Sequence, residues 1–318
     1  MGRGRARPRP RSRRSALSAV VRWVCCGLLV LLAAGSANSL EVSDVVLWNG
    51  PKQVDRHVSA HPELGVLAQQ PTFNWIGDTT EPRTVGSWVQ AAEGQTVPLV
   101  LYGIPDRDLG SHSAGGFATS EEYLSWVGAV AYHLGDAPAM IVVEPDAVAM
   151  SLEMPPGLRE ERLRTLGVAI DVLARTSPNA RIYLDASTWV PPTVMAGLLQ
   201  RANVGAAEGI SVNVANHLDD QAAAEYADTV TELVGVEHFI IDSSRNGLGS
   251  DGSRADWCNV RGLGLGRLPG TLLPGRPQLD GLYWIKTPGV SDGTCNGGPP
   301  AGQFWLSSAL DLAANARS

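Results

Sequence analysis

Short aliphatic runs that stop at an aspartate recur along this chain and alternate with stretches of helical period. Met140-Ile-Val-Val-Glu-Pro-Asp146 is the sharpest, an apolar run ending at two carboxylates and a proline. Asp108 follows the apolar run 97–104, Asp185 follows Ile182-Tyr-Leu, Asp242 follows Phe239-Ile-Ile, and Asp292 comes shortly after Leu282-Tyr-Trp-Ile-Lys. Eight runs read as strands: residues 45–48, 72–76, 97–104, 140–143, 181–184, 209–213, 238–241 and 282–286. Between them, residues 157–176 read as an amphipathic helix, with Leu163, Leu166, Ile170 and Leu173 at helical spacing. Residues 120–134, 191–202 and 221–234 read the same way, and 301–317 as a closing helix. Strand–helix alternation of this kind calls for a parallel sheet under helical cover. The expected fold is α/β, a distorted parallel β/α barrel of TIM-like type with seven to eight strands in a single domain. Such a barrel gathers residues at C-terminal strand ends around one mouth, so the aspartates are expected to converge there. Several carboxylates in one cleft suggest acid/base chemistry at a glycosidic bond. The Gly/Pro-rich stretch 247–277 reads as a long functional loop.

The first 37 residues stand apart. Arg3, Arg5, Arg7, Arg9, Arg11, Arg13 and Arg14 precede an apolar stretch and the small residues Gly35-Ser36-Ala37, the order of a signal peptide with cleavage after Ala37. The Arg13-Arg14 pair also resembles a twin-arginine export signal. An uncleaved anchor is the alternative, although Arg22 interrupts the apolar stretch. On either reading residues 38–318 lie outside the cytoplasm, secreted or associated with the cell envelope. Without the eight arginines of that segment, 25 basic residues become 17 against 32 acidic ones, and the formal charge moves from −7 to −15. So acidic a surface repels phosphate backbones, which argues against a nucleic-acid partner. Beyond Cys25 and Cys26 only Cys258 and Cys295 remain, and an even pair in an exported chain is expected to form a disulfide.

The motifs, in their order, resemble glycoside hydrolase family 6, the inverting endoglucanases and cellobiohydrolases of β-1,4-glucan. The blocks are Leu101-Tyr-Gly-Ile-Pro-Asp-Arg-Asp108, Val142-Val-Glu-Pro-Asp146, Tyr183-Leu-Asp-Ala186, Val212-Asn-Val-Ala-Asn216, Ile241-Asp-Ser-Ser-Arg-Asn-Gly247, Asp256-Trp-Cys-Asn259 and Trp284-Ile-Lys-Thr-Pro-Gly289 with Asp292. The resemblance implies that Asp146 is the general acid, that Asp108 raises its pKa and holds the water chain, and that Asp292 is the base or a charge stabiliser. It sets Tyr102 beneath a distorted sugar ring and makes Trp75, Trp189 and Trp257 stacking platforms. Lys286 and Asn216 would donate to sugar hydroxyls, and Asp185 would bind sugar or support Asp146. Asp242 is expected to pair with Arg245. Blander roles remain open beside these: a helix N-cap for Asp146, an ion pair with Arg107 for Asp108, an Asp-Gly turn for Asp292, and core packing for Tyr102 and the three tryptophans. Trp88 and Trp126, on helices, read as packing residues.

Three positions depart from the family pattern. Ser187-Thr188-Trp189 replaces the Gly-His that usually follows Asp-Ala, Val290 replaces a glutamate, and Ala114 replaces a serine. They motivate a second reading, a catalytically weak glucan-binding protein of the cell envelope that uses the same cleft. His57 and His61 lack a third metal ligand in the pattern, and the family chemistry needs no cofactor or metal. The loop 292–303 is short for a tunnel roof, and no separate carbohydrate-binding module is read in the chain. The preferred reading is therefore a secreted, monomeric endo-β-1,4-glucanase with an open cleft.

Overall fold

Seven parallel strands run in strict sequence order, β1-β2-β3-β4-β5-β6-β7, so each strand pairs with its neighbours along the chain. The structure is a computed structural model that describes residues 42–249 and 257–316. The expected signal segment, residues 1–37, lies outside the described residues, as does part of the long loop. The strands are β1 (Asn74–Ile76), β2 (Val97–Leu101), β3 (Ala139–Val143), β4 (Ala180–Asp185), β5 (Gly209–Val212), β6 (His238–Asp242) and β7 (Leu279–Tyr283). The helices are α1 (Gly65–Ala68), α2 (Arg83–Ala92), α3 (Ser120–Leu134), α4 (Ala147–Met150), α5 (Pro156–Thr176), α6 (Pro192–Arg201), α7 (Asp220–Val234) and α8 (Leu306–Ala314). The result is a curled half-barrel with helices outside, the α/β fold read from the sequence.

Strand periodicity explains the two layers of core. Leu99, Leu101, Ile141, Val143, Ile182, Leu184 and Ile241 point outward into a large cluster with Val127, Leu166, Ile170 and Leu199 from the helices. Their alternates Val100, Met140, Val142, Tyr183, Ile240 and Tyr283 point inward and fill the barrel. Both faces are dry, which is why β2 and β3 are buried at every position and read as unbroken apolar runs.

The eighth strand reading does not hold. Residues 45–48 make a single parallel bridge, Leu47 to Thr96, and Asn49-Gly50-Pro51 follows at once, with a proline that has no N–H to extend a ladder. The gap between β1 and β7 is closed outside the ladder. Phe73 N–H donates to the Trp284 carbonyl at 3.3 Å, and the Trp75 indole N–H donates to the Ile285 carbonyl at 2.9 Å. A third apolar cluster, built from Leu64, Leu67, Leu265, Trp284, Ala309 and Leu312, packs beside this junction. β7 also begins and ends three residues earlier than the run 282–286 suggested, and the closing helix is α8 alone.

Candidate active site

The C-terminal strand ends do form one mouth, and loops shape it into a cleft of about 850 Å³. Asp108, Asp146 and Asp292 all line it, with Tyr102, Trp75, Trp189, Trp257, Asn216 and Lys286. Ala114 and Val290, two of the departures from the family pattern, face the same space.

Asp146 follows β3 directly, in a left-handed conformation at φ 70° that ends the strand and starts α4. Its position does coincide with a helix N-cap, but its side chain makes no capping bond there. Its backbone N–H donates to Asp185 Oδ2 at 2.9 Å. Two residues earlier Glu144, fully buried, turns its carboxylate back towards β2 and accepts from the N–H groups of Gly103 and Ile104 at 2.9 to 3.1 Å. Burial raises the Glu144 pKa, and these backbone bonds partly oppose the rise. From α5, Arg162 donates to the carbonyls of Pro105 and Asp106 at 2.8 and 2.9 Å. Four successive residues leading to Asp108, Gly103 to Asp106, are thus held through their backbone by two buried charges. Neither Glu144 nor Arg162 was singled out as a site residue from the sequence, since both signals are long-range.

Asp108 lies beyond that clamp, also left-handed, and accepts from Ser113 N–H at 2.7 Å. The pairing with Arg107 considered from the sequence is not formed: Arg107 bonds Asp78 at 2.9 Å and the Tyr102 carbonyl at 2.7 Å. Tyr102 stands edge-on to Trp75, ring centroids 5.1 Å apart. Burial, followed by the nearby charges of Asp146 and Asp108, raises the Tyr102 pKa well above its ordinary value, so its hydroxyl stays neutral.

Asp292 is held from three sides. Arg245 donates to it at 2.7 Å, Asn259 N–H at 2.9 Å, and Lys286 Nζ lies at 3.1 Å. Burial alone would raise its pKa, but Arg245 and Lys286 outweigh that and hold the carboxyl well below the usual carboxylate range. This corrects the expected Asp242–Arg245 pair. Asp242, wholly buried, instead accepts from the backbone N–H groups of Ala215, Ser244, Ile285 and Lys286 at 2.9 to 3.2 Å. It ties three strand ends together, and burial raises its pKa against those bonds. Cys258 and Cys295 form the expected disulfide, which fastens the Asn259 segment to the loop that carries Asp292.

Asp185 does not line the cleft. It is 1% exposed, and its oxygens are occupied by Asp146 N–H, Ser187 N–H and the hydroxyls of Ser187 and Ser211. Of the two roles open from the sequence, sugar binding is removed by this burial and support of Asp146 is left. Burial pushes its carboxyl up to about 6 against those bonds. Trp126 is core, as read, whereas Trp88 packs on the core and also borders the cleft. Lys286 Nζ lies 5.6 Å from the Trp75 ring centre, and the Asn216 amide bonds the Val214 carbonyl at 3.1 Å. His57 stacks on Phe304, ring centres 4.6 Å apart.

A parallel β/α barrel whose mouth is lined by several carboxylates and tryptophans has the architecture of a glycoside hydrolase. The sequence matches the family description "Glycosyl hydrolases family 6" over residues 47–316, and the chain belongs to that family. It is 37% identical over 262 residues to endoglucanase A of Cellulomonas fimi, covering 80% of this chain and 56% of that protein. It is 36% identical to endoglucanase 1 of Streptomyces sp. (strain KSM-9), covering 78% of this chain and 70% of the relative. The chain thus spans little more than half the length of the Cellulomonas relative. Among solved structures, the endoglucanase Cel6 from Mycobacterium tuberculosis, in complex with a methyl-cellobiosyl thio-cellobioside, superposes with a TM-score of 0.81 at 38% identity, covering 86% of this chain and 98% of that one.

Proposed function

We propose that the chain is an inverting endo-β-1,4-glucanase whose substrate is a β-1,4-glucan or cello-oligosaccharide. The observation that carries this is the single cleft bounded by Asp108, Asp146 and Asp292 and walled by Trp75, Trp189 and Trp257. Flat indole faces match the apolar faces of β-linked glucose, and the family's endoglucanase relatives point to internal cleavage. Asp146 protonates the leaving oxygen. Asp108, which lines the same cleft, helps keep that proton in place by like-charge repulsion and orients the attacking water.

Asp292 stabilises charge and does not take a proton. A carboxylate this strongly held by Arg245 and Lys286 is a weak base, since basicity falls with pKa. It stays ionised throughout the working range and faces the positive charge that develops at the anomeric carbon. Tyr102 sits under the ring being distorted, while Lys286 and Asn216 offer donors to hydroxyls.

The Arg-rich, apolar leader and the Cys258–Cys295 disulfide support export of the chain to the cell exterior or envelope. Among the described residues no helix is long and apolar enough to cross a membrane.

Asp146→Asn is expected to abolish release of reducing ends from carboxymethylcellulose while the circular dichroism spectrum is unchanged. An active variant would overturn the assignment of the acid. Val290 favours a weaker second reading, a glucan-binding protein, because an alkyl group faces the cleft where the family carries a carboxylate. Cellohexaose separates the two: tight binding without cleavage selects the binder, and cleavage to products of inverted anomeric configuration by NMR selects the enzyme.

A further inference from the structure

Ser187 replaces the glycine of the family pattern and sits between two carboxylates. Its Oγ lies 2.7 Å from Asp185 Oδ2 and 3.3 Å from Asp146 Oδ1. It is 2% exposed, so the bonds it makes do not compete with bulk water. A hydroxyl has one proton to give and two lone pairs with which to accept. At 2.7 Å its proton belongs to Asp185, which leaves a lone pair facing Asp146.

We propose that the Ser187 hydroxyl is a positioning residue that keeps the catalytic proton on Asp146, by accepting from Asp146 Oδ1–H while donating to Asp185 Oδ2. The chain Asp146–Ser187–Asp185 then shares one carboxyl proton between two carboxylates, with the Ser187 hydroxyl accepting on one side and donating on the other. When Asp146 passes its proton to the leaving oxygen, the O–H bond at Asp146 breaks and one forms on the departing sugar. The Asp146 carboxylate regains a proton from solvent and the bond to Ser187 Oγ re-forms. The attacking water bonds to the anomeric carbon as the glycosidic C–O bond breaks, and its own proton goes to solvent, so the proton count closes. The inference rests on the reading of Asp146 as the acid.

The surroundings of Asp146 agree. Asp185 accepts from the Asp146 backbone N–H, so the two segments are fastened together independently of the hydroxyl. Burial holds the Asp185 carboxyl up to about 6. From β2 and its loop, Tyr102 and Asp108 act on the same centre, Tyr102 neutral and flanked by Arg107. Glu144 stands on Asp146's own segment and is spent on Gly103 and Ile104. From α7, Tyr226 bonds the carbonyls of Ala186 and Val190 and feels the charge of Asp185. Across the cleft Lys286 and Arg245 are committed to Asp292. Among the described residues, the Ser187 hydroxyl bridges Asp146 and Asp185 side chain to side chain.

The residue has φ 24°, a region open to glycine, so Ser187→Gly deletes the hydroxyl while relieving the backbone. Without the acceptor the protonated form of Asp146 loses a bond, and without the donor Asp185 becomes easier to protonate and repels less. Both changes lower the acid's pKa. The pH profile of kcat on cellohexaose is therefore expected to lose its alkaline side about one pH unit earlier, a fall of about tenfold on that limb. Near pH 5 the loss should stay within about threefold by the same one-unit shift. Ser187→Ala should give the same displacement, which separates the hydroxyl from the backbone. An alkaline limb that stays in place, with activity reduced equally at every pH or not at all, would overturn the proposal. Asp146→Asn run alongside distinguishes the two levels: if that variant is active, the assignment of the acid falls and Ser187's role with it. If it is inactive and the Ser187→Gly limb has not moved, the role of Ser187 alone falls.

Discussion

At the scale of single residues, the site sorts its carboxylates by what surrounds each one. Asp292 has two cations within 3.1 Å and is driven to the ionised form. Asp185 has hydroxyl and amide donors but no cation among its bonded partners in the described network, and burial dominates. The linkage signs are opposite. An acid whose folded pKa is depressed, as at Asp292, adds stability above its unfolded pKa and loses it as pH falls through the folded value. An acid whose folded pKa is raised, as at Asp185, adds stability that is complete below its ordinary 3.8 and is lost as pH rises through about 6. The raised Asp185 pKa predicts a decline of melting temperature between about pH 4 and about pH 6.5, and Asp185→Asn should flatten it. A decline of equal steepness in both proteins, measured by calorimetry, would refute this. The sequence marked both residues as aspartates near strand ends, and nothing local separates them. Arg245 is three residues from Asp242 and 47 from Asp292, yet it bonds the distant one.

At the scale of elements, the aspartates that end strands do two kinds of work. Asp242 ends β6 and accepts from backbone donors after β5, β6 and β7, so it is a staple at the barrel rim. Its replacement by alanine would leave several buried N–H groups without an acceptor, at about 1–3 kcal/mol for each group that finds no water. The expected loss in urea-denaturation free energy is at least about 3 kcal/mol, with a matching loss of activity because Lys286 and Ala215 border the cleft. A change below about 1 kcal/mol would show that the staple is dispensable. Helices α3, α5, α6 and α7 were legible to within a residue, because amphipathic period is local, whereas the closing helix read over 301–317 shrinks to Leu306–Ala314. The failed strand at 45–48 shows the limit. An apolar β-branched run forms a strand only if a free edge stands beside it for several residues, and here the chain turns away after one bridge.

At the scale of the whole molecule, the sheet is a barrel left incomplete between β1 and β7, and the late loops complete the cleft there. The disulfide joins two of those loops across a separation of 37 residues. By the chain-entropy argument a bridge of that span restricts the unfolded chain by about 4 kcal/mol. Replacing both cysteines by serine should lower the melting temperature by several degrees, and kcat should fall more than binding because Asn259 and Asp292 are held by that junction. An unchanged melting temperature under reducing conditions would contradict this.

What the sequence determined by itself is the parallel β/α order, the carboxylates at one rim, the tryptophans beside them and the family. All of these follow from local period or from motifs that keep their order along the chain. Tertiary structure alone decided the rest: seven strands and not eight, Arg245 with Asp292, Asp185 buried away from the cleft lining, and Ser187 between two acids. The reason is physical. Periodicity depends on which residues are neighbours in sequence, whereas the partner of a charge and its exposure to water depend on which loops meet over the barrel, and those contacts join residues tens of positions apart.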